Sequence, residues 1–178
     1  AIGPQGNSSG LVFQLLLDYY GMSMDDVVVS YISFADGVRA VLDGQADMAV
    51  VQAGIPSPGI TEAFASPVDI KLLSFPEADL DEFLTQHPYF LRLDITPDYY
   101  EALDQTINTF ATNNMVMVRD DLSEDLVYEI AAALFDHLDE FKQAHPVVRW
   151  VSLEEAPFSP IPLHPGAERY FRDKGVLD

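Results

Sequence analysis

A chain of 178 residues, 48% of them hydrophobic, is long enough to bury one sizeable core, or one lobe and part of a second. Its 29 acidic side chains against 9 basic ones give a formal net charge of -20, and such a surface repels phosphate backbones and anionic lipid headgroups. Nucleic-acid binding and membrane-surface binding are therefore disfavoured. The absence of cysteine removes disulfides, thiolate nucleophiles and Cys-ligated zinc.

The first ninety residues alternate between helix patterns and strand patterns. Ala1-Ile2-Gly3 has the character of the end of a strand, and Gly3 to Gly10 that of a loop. Turn and capping signals predict helices at about 9–20, 33–44, 59–65 and 78–86. Apolar, β-branched runs predict strands at Val27–Ile32, Asp47–Gln52 and Ile70–Ser74. This alternation predicts an α/β layer with a largely parallel sheet.

After His87-Pro88 the alternation stops. Residues 89–95 and 106–119 have the composition of extended segments. Ser123 is predicted to cap a helix, and the apolar spacing from Leu126 to Phe141 predicts that this helix is continuous. Pro165 predicts the first turn of a last helix that ends near Gly175.

Two glycine-containing turns are candidate ligand sites. The loop from Gly3 to Gly10 brings amide N–H groups, Asn and Ser to a helix N-terminus, where an anion can bind. The simpler alternative is a strand-to-helix turn that needs glycine only for its shape. Gly54-Ile55-Pro56 follows a predicted strand, where open α/β sheets hold their ligands, although a plain turn is the preferred interpretation of this motif by itself.

Catalytic and metal-binding patterns are weak. His137 and Glu140 have a spacing that could share a metal, but no third ligand is evident, and His87, His145 and His164 each precede a proline. Nucleophilic catalysis would need a Ser or Thr beside a His and an acid, and the acids are too numerous for any one pair to stand out as general acid and base. We therefore expect no metal, no cofactor and no enzymatic activity. The candidate carboxylate-binding arginines are Arg39, Arg92, Arg119, Arg149, Arg169 and Arg172, among which the sequence does not choose.

Several segments, in order along the chain, resemble the TAXI family, the solute-binding proteins of tripartite ATP-independent periplasmic (TRAP) transporters. The opening loop is similar to the Gly-Ser-Gly-Thr turn of that family. The other matching stretches are Tyr31-Ile32-Ser33-Phe34, Asp43-Gly44-Gln45-Ala46-Asp47, Gly54-Ile55-Pro56-Ser57-Pro58, His87-Pro88-Tyr89-Phe90, Arg119 to Tyr128, Ala133-Leu134-Phe135 and Ile161 to Arg172.

The resemblance implies a periplasmic-binding-protein-like (type II) α/β fold, in which two lobes close over a solute. On this basis we expect the first lobe to be missing, residues 1–90 to form the second lobe, and residues 91–178 to hold crossover strands and C-terminal helices that bridge to the first lobe.

The resemblance also implies the positions of the ligand contacts. They would be Gly6, Asn7, Ser8, Ser9, Gln52, Gly54 and Pro56, with Tyr100 and Thr109 as weaker candidates. Two departures matter: Gly6-Asn7-Ser8-Ser9 replaces Gly-Ser-Gly-Thr, and residues 98–103 differ from the family's Gly-Thr-Tyr-x-Gly-Gln segment. The second departure leaves the region of Tyr100 and the identity of the solute open.

The function implied by the resemblance is extracytoplasmic or periplasmic capture of a small carboxylated solute, an amino acid or a dicarboxylate. Domain closure would then deliver the anionic or zwitterionic solute to the permease subunits of a TRAP transporter. An alternative with a similar two-lobed fold is the effector-binding domain of a transcription regulator, which would need an attached DNA-binding domain.

Overall fold

The computed structural model describes residues 1–144, 148 and 150–178, in two compact units, Ala1–Ala111 and Thr112–Asp178. His145, Pro146 and Arg149, considered above, lie outside the described residues. The helices are α1 (Ser8–Tyr19), α2 (Phe34–Leu42), α3 (Pro58–Phe64), α4 (Glu77–Gln86), α5 (Glu124–Phe135), α6 (Leu138–Ala144) and α7 (Pro165–Asp173). Strands β1 (Phe90–Ile95) and β2 (Ile107–Thr112) form a two-stranded antiparallel sheet.

Local capping signals explain where the helices begin. The side chain of Asn7 accepts a hydrogen bond from the Ser9 N–H at 3.2 Å and so caps α1. Ser33 caps α2 by accepting from the Asp36 N–H at 3.1 Å, and its hydroxyl donates to the Asp36 carboxylate at 2.6 Å. Ser123 caps α5 in the same way. The predicted helix positions in the first unit are confirmed to within a few residues.

The largely parallel sheet expected from the sequence is not formed. The predicted strands at Val27–Ile32, Asp47–Gln52 and Ile70–Ser74 are extended segments joined to their neighbours by isolated hydrogen bonds, two of them between Ala1 and the Asp47–Gln52 segment. A sheet needs bonds that repeat along both strands. Among the residues that the structure describes, the regular sheet is therefore the two-stranded one formed by β1 and β2.

The individual bonds still show which extended segments lie side by side. The backbone of Ala1 donates to the Met48 carbonyl at 2.8 Å and accepts from the Val50 N–H at 2.9 Å, which is the spacing of a parallel pair. On the other side, the Ile2 N–H donates to the Ser30 carbonyl at 3.1 Å. The pairing stops there because the chain turns at Gly3, where φ is 70°.

Phe83 on α4 is the centre of an aromatic cluster in the first unit. It is 0% exposed, and its ring contacts those of Tyr19, Phe75, His87, Phe90 and Phe110 at centroid distances of 4.6–5.9 Å. This cluster joins β1 and β2 to α4, and the first compact unit extends to Ala111.

The second unit is built on the packing of α7 against α5. Ala131, Tyr170 and Phe171 form its buried cluster. The continuous helix predicted from Ser123 to Phe141 is wrong, because the chain is interrupted at Asp136 and His137 between α5 and α6. At this break the Asp136 carboxylate accepts hydrogen bonds from Tyr170 and Lys174, at 2.8 and 2.7 Å. Tyr170 lies in α7 and Lys174 is its C-cap residue. The spacing of apolar residues in α5 and α6 therefore does not predict these contacts.

The ion pair between Asp136 and Lys174 predicts that the stability of the second unit depends on pH. The hydrogen bonds from Lys174 and Tyr170 lower the pKa of Asp136 in the folded state. A lowered pKa stabilises the fold above the pKa of the unfolded carboxyl, and this contribution is lost as the pH falls through the folded value. We expect Lys174→Met to lower the urea midpoint at pH 7 and to have a smaller effect near pH 2. Urea titrations at both pH values measure this, with Lys142→Met as the control. An equal decrease in the urea midpoint of Lys174→Met at pH 7 and near pH 2 would contradict the prediction.

Candidate functional site

A small polar cluster, formed by Asn7, Ser8 and Gln52, lies at the start of α1 in the first unit. The hydroxyl of Ser8 is 3.0 Å from Gln52 Oε1 and 3.1 Å from Asn7 Oδ1. Asn7 and Ser8 are exposed and Gln52 is half-buried. The cluster thus joins the loop that follows Ile2 to the loop that follows Val50. Just before these loops, the backbone of Ala1 is hydrogen-bonded to that of Met48 and Val50.

Gly3 is closely packed between the start of α2 and the start of α1. A Cβ on this residue would lie 2.5 Å from the Phe34 ring and 2.6 Å from Ser9 Oγ. The positive φ of 70° also favours glycine. The start of α2 can therefore approach the loop before α1 only because residue 3 has no side chain.

The structure separates the predicted ligand contacts by burial. Exposed residues can meet a solute, and these are Gly6, Asn7, Ser8, Gly54 and Pro56. Gln52 and Thr109 are half-buried, the latter within β2. Ser9 and Tyr100 are buried. The exposed members lie in the segments 6–8 and 54–56, and the contact between Ser8 and Gln52 joins these two parts of the chain.

Ser9 and Tyr100, two of the predicted contacts, are buried side chains with hydrogen-bond partners inside the chain. Ser9 is 0% exposed, and its hydroxyl donates to the Ile2 carbonyl at 2.8 Å. Tyr100 is 4% exposed, and its hydroxyl accepts from the Ser57 N–H at 2.7 Å. Burial raises the pKa of Tyr100, so the hydroxyl stays neutral at physiological pH. Neither side chain is open to a solute in this conformation.

The amides at the start of α1 are partly used within the chain. The Ser9 N–H donates to Asn7 Oδ1, and the Gly10 N–H donates to the Asn7 carbonyl at 3.3 Å. The amides of Ser9 and Gly10 therefore already have acceptors within the chain. Because Asn7 turns its side-chain oxygen towards the helix, its NH₂ group is directed away from the helix as a donor.

Two surface clefts lie elsewhere in the first unit. The larger, about 490 Å³, is lined by Asp18, Tyr19, Tyr20, Asp79, Glu82 and Gln86. The Tyr20 hydroxyl donates to Asp79 at 3.1 Å, and the pKa of Tyr20 is raised first by burial and then by this carboxylate. The second cleft, about 320 Å³, is lined by Phe64, Ser66, Pro67, Val68, Asp69, Ile70 and Ala102. Sequence patterns did not indicate the larger cleft, because its residues come from the end of α1 and from α4.

The arginines of the described residues lie in ion pairs. Their partners are acidic side chains: Arg39 with Asp36, Arg92 with Asp81 and Asp94, Arg119 with Asp121, Arg169 with Glu124 and Asp125, and Arg172 with Glu168. His137 Nδ1 lies 3.1 Å from Glu140. Over residues 1–144, 148 and 150–178, no three His, Asp or Glu side chains are grouped as metal ligands. Within the same residues, no helix is long and apolar enough to span a bilayer.

Comparison with known protein families gives a match over nearly the whole chain. The model of the NMT1-like family matches residues 1–175, which includes both compact units and both loops of the polar cluster. This is a family of periplasmic solute-binding-like proteins, with a small ligand and a membrane transporter as general partners. Such proteins are typically extracytoplasmic. The chain belongs to the NMT1-like family and thus has, in general terms, a periplasmic solute-binding function.

Proposed function

We propose that this chain belongs to a TAXI-type receptor that captures a small carboxylated solute, an amino acid or a dicarboxylate, for a TRAP-type permease. The observation that carries the proposal is the polar cluster of Asn7, Ser8 and Gln52 at the start of α1. Its members come from two loops that follow neighbouring extended segments, which is where open α/β folds place their ligand contacts.

The chemistry of the cluster suits a carboxylate. The N-terminus of α1 carries the positive end of the helix dipole, and the Asn7 NH₂ group adds a donor beside it. The Ser8 hydroxyl, which donates to Asn7 Oδ1 and Gln52 Oε1 in this structure, would turn its proton to the bound carboxylate. The overall charge of -20 opposes an approaching anion at long range. Short-range dipoles therefore have to supply the attraction, and their effect is greatest once water is excluded from the site.

Closure of the first lobe, the partner expected from the family resemblance, over the cluster would exclude that water. An exposed apolar run in the second unit supports such a partner: Val116 is 70% exposed and Met117 is 75% exposed. The Ser159 hydroxyl donates to the sulfur of Met115 at 3.7 Å, and Phe158, its neighbour in the chain, is 76% exposed. A continuous apolar run is typical of a strand buried on both faces. We propose that it pairs with the first lobe, and that the closed form docks on the permease without any bond chemistry.

Titration with L-glutamate and succinate, followed by amide NMR, tests this function. Because the contacts are shared between lobes, we expect the 178-residue chain to bind weakly, with amide shifts confined to Gly6–Ser8 and Gln52–Ile55. Ser8→Ala should weaken binding by about tenfold, since it removes one hydrogen bond to a charged group.

Ser66→Ala is the matched control, because Ser66 lies in the first unit and lines a different cleft. It should leave both affinities unchanged. Saturating shifts elsewhere on the chain, or equal losses in the two variants, would contradict the assignment of the site. Micromolar binding by this chain alone would contradict the sharing of contacts between two lobes.

A further inference from the structure

The loop between Gln52 and Ser57 is held at both of its ends. At one end Gln52 meets the hydroxyl of Ser8 at 3.0 Å. At the other end the Ser57 N–H donates to the Tyr100 hydroxyl at 2.7 Å. Gly54 and Pro56, both exposed, lie between these two points. The conformation of the loop is therefore set by one contact that faces the solvent and one that is buried.

Tyr100 is connected to both ends of α3, the helix that follows this loop. Ser57 is the N-cap residue of α3, and its own side chain makes no capping hydrogen bond. The Tyr100 hydroxyl accepts from the Ser57 N–H instead, and the Tyr100 ring lies 5.6 Å from that of Phe64, the last residue of the helix. Ser57 is 8% exposed and Tyr100 is 4% exposed, so water does not compete freely for this bond.

We propose that Tyr100 is a positioning residue of the solute site: it holds the start of α3 and so fixes the loop that carries Gln52, Gly54 and Pro56. This proposal rests on the function proposed above. Tyr100 acts from the interior, through Ser57, and touches no solute. A loop fixed in its binding conformation loses less entropy when a solute binds, which increases affinity without any added contact.

The Tyr100→Phe variant tests this role because it keeps the ring packing and removes only the hydroxyl. We expect the amide hydrogen exchange of Ser57 to become about tenfold faster. The NMR signals of residues 52–56 should shift in the absence of any solute, and L-glutamate should bind about fivefold more weakly. The variant would be compared with the unmodified 178-residue chain.

Tyr170→Phe is the matched control, since it removes another buried tyrosine hydroxyl, the one that donates to Asp136 in the second unit. It should leave the exchange of Ser57 and the signals of residues 52–56 unchanged. Equal effects of the two variants would overturn the proposal, because they would reveal a general loss of stability.

Unchanged loop signals in Tyr100→Phe would also overturn the proposal, as would shifted loop signals with unchanged glutamate affinity. If glutamate binds neither chain, the loop signals decide alone: a shift confined to residues 52–57 supports the positioning role, while the proposed solute fails. The two failures are thereby distinguished.

Discussion

Phe83→Ala is expected to destabilise the first unit by about 3–5 kcal/mol, the usual cost of deleting a buried phenylalanine ring. Phe83 is 0% exposed, and its ring lies 5.0 Å from that of Phe110 on β2 and 5.8 Å from that of Phe90 on β1. Removal of the ring leaves a cavity at the point where α4 meets both strands. The surrounding rings are rigid, so the cavity cannot be filled by small side-chain movements.

Urea unfolding followed by far-UV circular dichroism measures this loss. Leu73→Ala is the control, because Leu73 is 75% exposed and its truncation should change the free energy of unfolding by less than about 0.5 kcal/mol. Losses of similar size in the two variants would show that Phe83 is not the centre of the core.

Gly166→Ala is expected to destabilise the second unit by about 3 kcal/mol or more. A Cβ on this residue would lie 2.2 Å from the Glu124 carbonyl oxygen and 2.9 Å from the Tyr128 amide nitrogen. Both are backbone atoms of the α5 region, and they cannot rotate away as a side chain can. Helix α7 must therefore move off α5, which disrupts the buried cluster around Tyr170.

Gly59→Ala is a closely matched control. Gly59 and Gly166 both follow the proline that begins a helix, α3 and α7 respectively. The nearest atom to a Cβ at Gly59 is 3.9 Å away, at Val38, so alanine should change stability by less than about 1 kcal/mol. Fluorescence of Trp150, the single tryptophan, would follow unfolding of the second unit. Equal stability of Gly166→Ala and the unmodified chain would rule out the close approach of the two helices.

The candidate site was predicted from the sequence in part. The glycine-rich loop and the Gly54-Ile55-Pro56 turn stand out because glycine, proline and capping residues mark turns within a few positions. The contact between Ser8 and Gln52 spans 44 residues and leaves no such mark. Burial of Ser9 and Tyr100 is also invisible in the sequence, since the same polar side chains suit a ligand site or an internal hydrogen bond.

The sequence by itself determined where most helices begin and end, because Asn7, Ser33 and Ser123 cap amides only two or three residues away. Only the tertiary structure decided which extended segments pair and where the predicted long helix is interrupted at Asp136. Pairing depends on hydrogen-bond partners that are distant in the chain. The interruption coincides with the contacts of Asp136 with Tyr170 and Lys174, which the periodicity of apolar residues does not encode.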